Sequence, residues 1–179
     1  KIIRQIESLD CSVCGGIQNV QGIGIGVPGP VDTEHGVMIM ATNLPGFENY
    51  PICEKLSTRF NLPVFIDNDA NVAGLAEALL GAGKGKPTCY YVTISTGIGG
   101  AFVVNGQLVS GGRGHADEVG NIIVKNNGYK FGALNPGAVE GEASGTAITR
   151  KGKEILGEER VHPAGDVFRL ADEGDMKAK

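Results

Sequence analysis

The chain has 179 residues, 20 acidic against 16 basic, with a formal net charge of −4. That length can bury the core of one large domain or two small ones, and the acidic balance argues against a nucleic-acid-binding face, which carries clustered positive charge. No apolar run reaches the length of a membrane span, and the amphipathic start Lys1-Ile2-Ile3-Arg4-Gln5-Ile6 lacks the apolar segment and small-residue cleavage site of a signal peptide.

Ile2, Ile3, Ile6 and Leu9 recur at helical spacing, so residues 1–9 read as the end of a helix, with further residues expected before it because the chain opens mid-pattern without methionine. Cys11-Ser12-Val13-Cys14 has the spacing of half a metal site or a redox pair; no second pair and no nearby histidine follow, which favours a plain loop or buried thiol. The four cysteines form no dense disulfide framework, and a reducing, cytoplasmic setting is expected. Glycine, at 29 residues, is not periodic but clusters between apolar runs, as tight turns between strands require.

Gly22-Ile23-Gly24-Ile25-Gly26-Val27 reads as a strand with one face small enough for a helix or ligand to approach, and Pro28-Gly29-Pro30 as a turn. Short strands are predicted at Val37–Met40 and Val64–Ile66, with a helix over Ile52–Phe60 between them. Ala70–Leu80 is a helix ended by Gly81-Ala82-Gly83. Lys84-Gly85-Lys86-Pro87 is the expected hinge, dividing residues 1–86 from 87–179. Beyond it, strands at Cys89–Ile94 and Ala101–Val104 flank a Ser95–Gly100 turn, and Asn105-Gly106 signals a hairpin into Gln107–Val109. A glycine-rich loop over Gly111–Gly120, a strand at Ile122–Val124, helices at Ala143–Leu156 and Val167–Ala171, and a charged tail without a closing element complete the pattern. Alternating helices and short strands define an α/β fold, in which ligands gather at the strand C-terminal ends.

Asp67-Asn68-Asp69 lies between a strand and a helix, so Asp69 is either a plain N-cap or a base for a sugar hydroxyl, with Asn68 binding a neighbouring hydroxyl. The Thr93–Gly100 segment is either an ordinary hairpin or a phosphate-holding turn; it is not a Walker A loop, because no Gly-Lys-Ser/Thr follows. His115-Ala116-Asp117-Glu118-Val119-Gly120-Asn121 is either a solvated loop or a place where Glu118 accepts sugar hydroxyls, and Glu140 is a second acceptor candidate. A carboxylate turn followed by a glycine turn points to phosphoryl transfer onto an alcohol.

In order and approximate spacing, Gly24-Ile25-Gly26-Val27-Pro28-Gly29-Pro30-Val31-Asp32, Asn43-Leu44-Pro45-Gly46, Asp67-Asn68-Asp69-Ala70-Asn71, Thr96-Gly97-Ile98-Gly99-Gly100 and Ala143-Ser144-Gly145-Thr146-Ala147-Ile148 resemble the ROK family of repressors, open reading frames and kinases. The resemblance implies an actin-like, ribonuclease-H-like two-domain fold, present here as a partial chain, and an ATP-dependent hexose kinase of the glucokinase kind. It implies Asp69 as general base, with Asn68, Glu118, Asn121, Glu140 and Gly46 on the sugar, and Thr96, Gly97, Gly99 and Gly100 on phosphate. ATP with Mg2+, a hexose (glucose by family frequency) and a homo-oligomer such as a dimer would be the partners. A membrane is not among them, nor is nucleic acid unless a DNA-binding domain precedes the chain. The family's early Asp-x-Gly-Gly-Thr loop and its adenosine-binding end are missing.

Two further departures concern the site. The family's structural zinc is held by one His and three Cys, and the matching positions here are Asn121, Tyr129, Phe131 and Ala138, so no zinc is expected. Asp117 stands where the family has glycine, and it tolerates positive φ less well. Rival expectations are a sugar-sensing repressor, separable by a helix-turn-helix upstream, and a catalytically dead sugar-binding remnant.

Overall fold

The computed structural model describes residues 2–9, 15–40, 44–112, 114 and 116–179. Cys11, Cys14, Asn43 and His115 therefore lie outside the described residues. The backbone groups into two compact units, Lys1–Val72 and Ala73–Lys179, with the division inside one helix.

In the first unit, α1 (Ile2–Glu7) precedes β1 (Ile23–Val27), a two-residue β-ladder of β2 (Val31–Asp32) and β3 (Val37–Met38), α2 (Ile52–Phe60), β4 (Val64–Asn68) and the start of α3 (Asp69–Leu79). β1 and β4 pair in parallel, with Gly26 opposite Asp67 and Val27 opposite Asn68, so the carboxylate-rich turn leaves the end of this pair. A Cβ at Gly26 would lie 3.4 Å from Asp69 Cα, ordinary van der Waals contact with the helix start. Gly24 faces open space instead, so close packing of the glycine face holds only in part. α2 lays Ile52 and Leu56 onto Val27, Met38 and Ile66, with Phe60 packed at the edge, as its spacing predicts. It stops at Asn61, whose φ of 53° lets its N–H return to Ser57 O.

In the second unit, β5 (Thr88–Ile94), β6 (Ile98–Val104) and β7 (Gln107–Leu108) form an antiparallel meander. Asn105 and Gly106 both have positive φ, 49° and 77°, the tight hairpin that the sequence signals. Gly74 lets α3 settle on this sheet, since a Cβ there would meet Ala101 Cβ at 2.5 Å and Tyr91 Cβ at 3.0 Å. A 3-10 turn (Val119–Asn121) leads through a long loop to α4 (Val139–Ala143), α5 (Gly145–Leu156) and α6 (Ala164–Asp172).

Four local expectations need correction. β6 begins at Ile98, so Gly99 and Gly100 are strand residues paired with Thr93 and Val92, and the turn shrinks to Ser95-Thr96-Gly97. Ile122–Val124 is exposed rather than a strand, and among the described residues its pairing is limited to one bridge from Ile123 to Ala138. The helix predicted over 143–156 is broken at Ser144, which leaves α4 and caps α5 by accepting from Ala147 N–H. The tail does close: Asp175 pairs with Arg160 at 2.7 Å and Ala178 packs beside Leu156, Val161 and Leu170.

Candidate active site

The strand–helix junction of the first unit distributes its polar atoms differently from a simple Asp69 cap. Asn68 is the cap: its Oδ1 accepts from Ala70 N–H at 2.9 Å and Asn71 N–H at 3.4 Å, and its Nδ2 donates to Gly29 O at 3.3 Å. Asp67 Oδ1 accepts from Asn68 N–H at 2.7 Å and from Asn71 Nδ2 at 2.9 Å, so Asp67 braces the turn. Asp69 is the first helical residue and is exposed. Its Oδ1 accepts from Ala70 N–H at 2.9 Å, while among the described residues no donor engages Oδ2. A carboxylate there faces the positive end of the helix dipole with one oxygen available for a proton. Gly46, in the same unit, is exposed at φ 89° with open space where a Cβ would be.

The glycine turn of the second unit is anchored from one side. Gly145 N–H donates to Ser95 O at 2.8 Å, and Thr146 donates to Thr96 O through both its N–H (3.3 Å) and its hydroxyl (2.8 Å). Ser95 N–H closes the turn on Gly97 O at 2.9 Å. Among the described residues no acceptor takes the N–H of Thr96 or Gly97. The Ser95 and Thr96 carbonyls are thus tied back to the start of α5 while two backbone donors stay open among the described residues, the polarity that an anionic phosphate needs. Sequence reasoning passed over the anchoring role of Gly145 and Thr146, although the Ser-Gly-Thr-Ala-Ile run was visible.

Glu140 and the 3-10 turn converge on this glycine turn. Glu140 Oε2 accepts from Ile98 N–H at 2.7 Å. A Cβ on Gly97 would stand 2.6 Å from that oxygen, and one on Gly120 would stand 2.3 Å from Ile98 O. Gly120 is therefore required by close approach to backbone, whereas a side chain at position 97 would displace the Glu140 carboxylate from Ile98 N–H. Asp117 does adopt a left-handed φ of 66°, and its carboxylate accepts from Phe102 N–H at 3.0 Å, which ties the loop before Glu118 to β6. Glu118 is exposed at the start of the 3-10 turn. Asn121 Oδ1 accepts from Asn135 N–H at 2.7 Å, closing the loop toward α4. Thr96, Gly97, Glu140, Glu118 and Asn121 thus belong to one neighbourhood of the second unit, whereas Asn68, Asp69 and Gly46 belong to the first.

The positions matching the family's zinc ligands do not fit a zinc ion. Ala138 is fully buried and offers no ligand atom, Phe131 presents a ring 6.5 Å from that of Tyr129, and the Asn121 oxygen is engaged by Asn135.

The ROK family model matches residues 2–179, and the chain belongs to that family. A glucokinase of Thermotoga maritima is 36% identical over 170 residues, covering 95% of this chain and 52% of that protein. A xylose repressor of Caldicellulosiruptor bescii is 32% identical over 139 residues, covering 78% of this chain and 35% of that protein. Among solved structures, the ROK hexokinase from Thermus thermophilus superposes with a TM-score of 0.79 at 39% identity, over 88% of this chain and 52% of that one. The ROK glucokinase from Streptomyces griseus, in complex with glucose and AMPPNP, does so at 0.72 and 29% identity, over 93% and 60%. The chain spans about half the length of the curated relatives it matches, and its fold is part of the actin-like sugar kinase fold of that family.

Proposed function

We propose that the full-length protein is an ATP-dependent hexose kinase of the glucokinase kind. The observation that carries this reading is the Ser95–Gly97 turn, whose Ser95 and Thr96 carbonyls accept from α5 while, among the described residues, no acceptor takes the Thr96 and Gly97 amides. Glucokinase relatives and a ROK glucokinase complex with glucose and AMPPNP support it. Residues 1–86 bring the base and residues 87–179 the phosphate turn and the glutamates. A sugar hydroxyl attacks the γ-phosphorus in line; the new O–P bond forms as the bond to the β-phosphate oxygen breaks. Asp69 accepts or orients the departing hydroxyl proton, and the turn amides hold phosphate oxygens. Mg2+, when bound, offsets charge on the phosphates. Asn68, Glu118, Asn121, Glu140 and Gly46 orient the sugar, with Glu140 Oε1 the oxygen not committed to Ile98.

The test is a coupled ATP-to-ADP assay on the full-length protein with a panel of hexoses, beside Asp69→Asn. Sugar-dependent turnover that falls by about two to four orders of magnitude in the mutant is expected, the scale of a lost general base. Near-wild-type turnover in Asp69→Asn sinks the assignment. A sugar-sensing repressor is the second reading, favoured by the match to a xylose repressor. Sugar binding by calorimetry without turnover, with a helix-turn-helix upstream, would select it.

A further inference from the structure

Glu140 sits on α4, a helix of only five residues. So short a helix does not hold itself in water, and its orientation is set by what ties it down. The ties come from the loop before it and from α5. Glu142, on the same helix, accepts from Tyr129 N–H through Oε1 at 2.8 Å and from Lys151 Nζ through Oε2 at 2.9 Å, with Lys125 Nζ 3.7 Å away. Lys151 also donates to the Glu142 carbonyl at 2.8 Å. The Glu142 side chain is 8% exposed, so these charge-assisted bonds are sheltered from water.

From the other side the Arg150 guanidinium stacks 3.8 Å over the Tyr129 ring and donates to Gly141 O at 3.3 Å. Gly137 N–H returns to Tyr129 O at 3.0 Å, closing the loop. Gly128 is required beneath it, since a Cβ would stand 2.6 Å from the backbone Cα of Gly137 as well as 2.6 Å from Glu142 Oε1. Tyr129 itself occupies a position where the family places a zinc thiolate.

We propose that a metal-independent clasp, Arg150 on the Tyr129 ring and Glu142 between Tyr129 N–H and Lys151, replaces the zinc and positions Glu140 against the glycine turn. Glu142 and Arg150 are then positioning residues. Their effect on activity rests on the kinase reading; their effect on the loop does not.

The experiment uses the full-length protein in two arms. In the first, metal content is measured and the thermal midpoint is compared before and after EDTA dialysis, and amide hydrogen exchange follows residues 124–138. Sub-stoichiometric zinc, an unchanged midpoint and loss of protection in Glu142→Ala are expected. Tyr129→Phe should match wild type because the ring remains under Arg150, while Tyr129→Ala, which keeps the backbone N–H and loses the ring, should lose part of the protection that Glu142→Ala loses. In the second arm, Glu142→Ala raises the sugar KM by on the order of tenfold with the ATP KM little changed, the scale of a misplaced binding group. Glu142→Gln, which still accepts from Tyr129 N–H, recovers part of it and serves where the alanine variant does not fold. One zinc per chain whose removal lowers the midpoint, unaltered exchange in Glu142→Ala, or equal defects in Tyr129→Phe and Tyr129→Ala would overturn the clasp. Wild-type protein without turnover defeats the kinase reading, and the first arm still decides the clasp.

Discussion

Asp117 is an aspartate in a conformation that glycine adopts without strain. Its φ of 66° costs up to about 1–2 kcal/mol for an ordinary side chain. The Phe102 N–H accepted by its carboxylate offsets that cost and pins the turn that begins at Glu118. Asp117→Ala keeps the strain and loses the bond, so equilibrium urea unfolding should show a loss of about 1–2 kcal/mol. Asp117→Asn keeps both an acceptor oxygen and tolerance of positive φ and should stay within about 0.5 kcal/mol of wild type. A similar one-residue subtlety separates Asn68 from Asp69. Both are good N-caps by type, so the sequence located the junction but not its owner. Asn68 takes the role because its Nδ2 is also held by Gly29, leaving the Asp69 carboxylate turned to solvent.

At the scale of elements, strands and turns were legible wherever their signal is local. The Asn105-Gly106 hairpin, the α2 stripe and the body of α3 follow from neighbours within a few positions. The break between α4 and α5 was not, because Ser144 in an alanine- and glycine-bearing run is compatible with a continuous helix until Gly145 and Thr146 bond back to Ser95 and Thr96. The clasp on α4 also has a pH signature. The Lys151 ammonium, then the Tyr129 N–H, hold the Glu142 carboxyl down to about 2 from an ordinary 4.5. The folded state therefore prefers the ionised form, and its contribution is fully present above pH 4.5 and fades as pH falls toward 2. In acid unfolding monitored by circular dichroism, the stability gap between wild type and Glu142→Gln should be constant at neutral pH and shrink across that interval. A gap independent of pH would mean that the Glu142 charge contributes nothing to the clasp.

For the whole molecule, each compact unit carries its own apolar cluster. Leu56, 3% exposed, sits with Val27, Met38, Ile52 and Ile66 in the first, and Val161 with Leu156 and Leu170 in the second. Leu56→Ala opens a cavity among residues from α2, β1, β3 and β4 and should cost about 2–5 kcal/mol in urea unfolding. A cost below about 1 kcal/mol would mean that this cluster is not where the first unit's stability resides.

The α/β alternation, the order of the five motifs, the turn chemistry and the candidate residues could all be read from the chain itself, since each depends on residue type and short-range spacing. Tertiary structure alone decided which atoms those residues have left to use. Glu140 Oε2 goes to Ile98, 42 positions away, Thr146 is drawn to Thr96, 50 positions away, and the Asp117 carboxylate goes to Phe102. Hydrogen bonds saturate, so a side chain's chemistry is what remains after its partners are counted, and those partners are brought in by the fold rather than by neighbours in sequence.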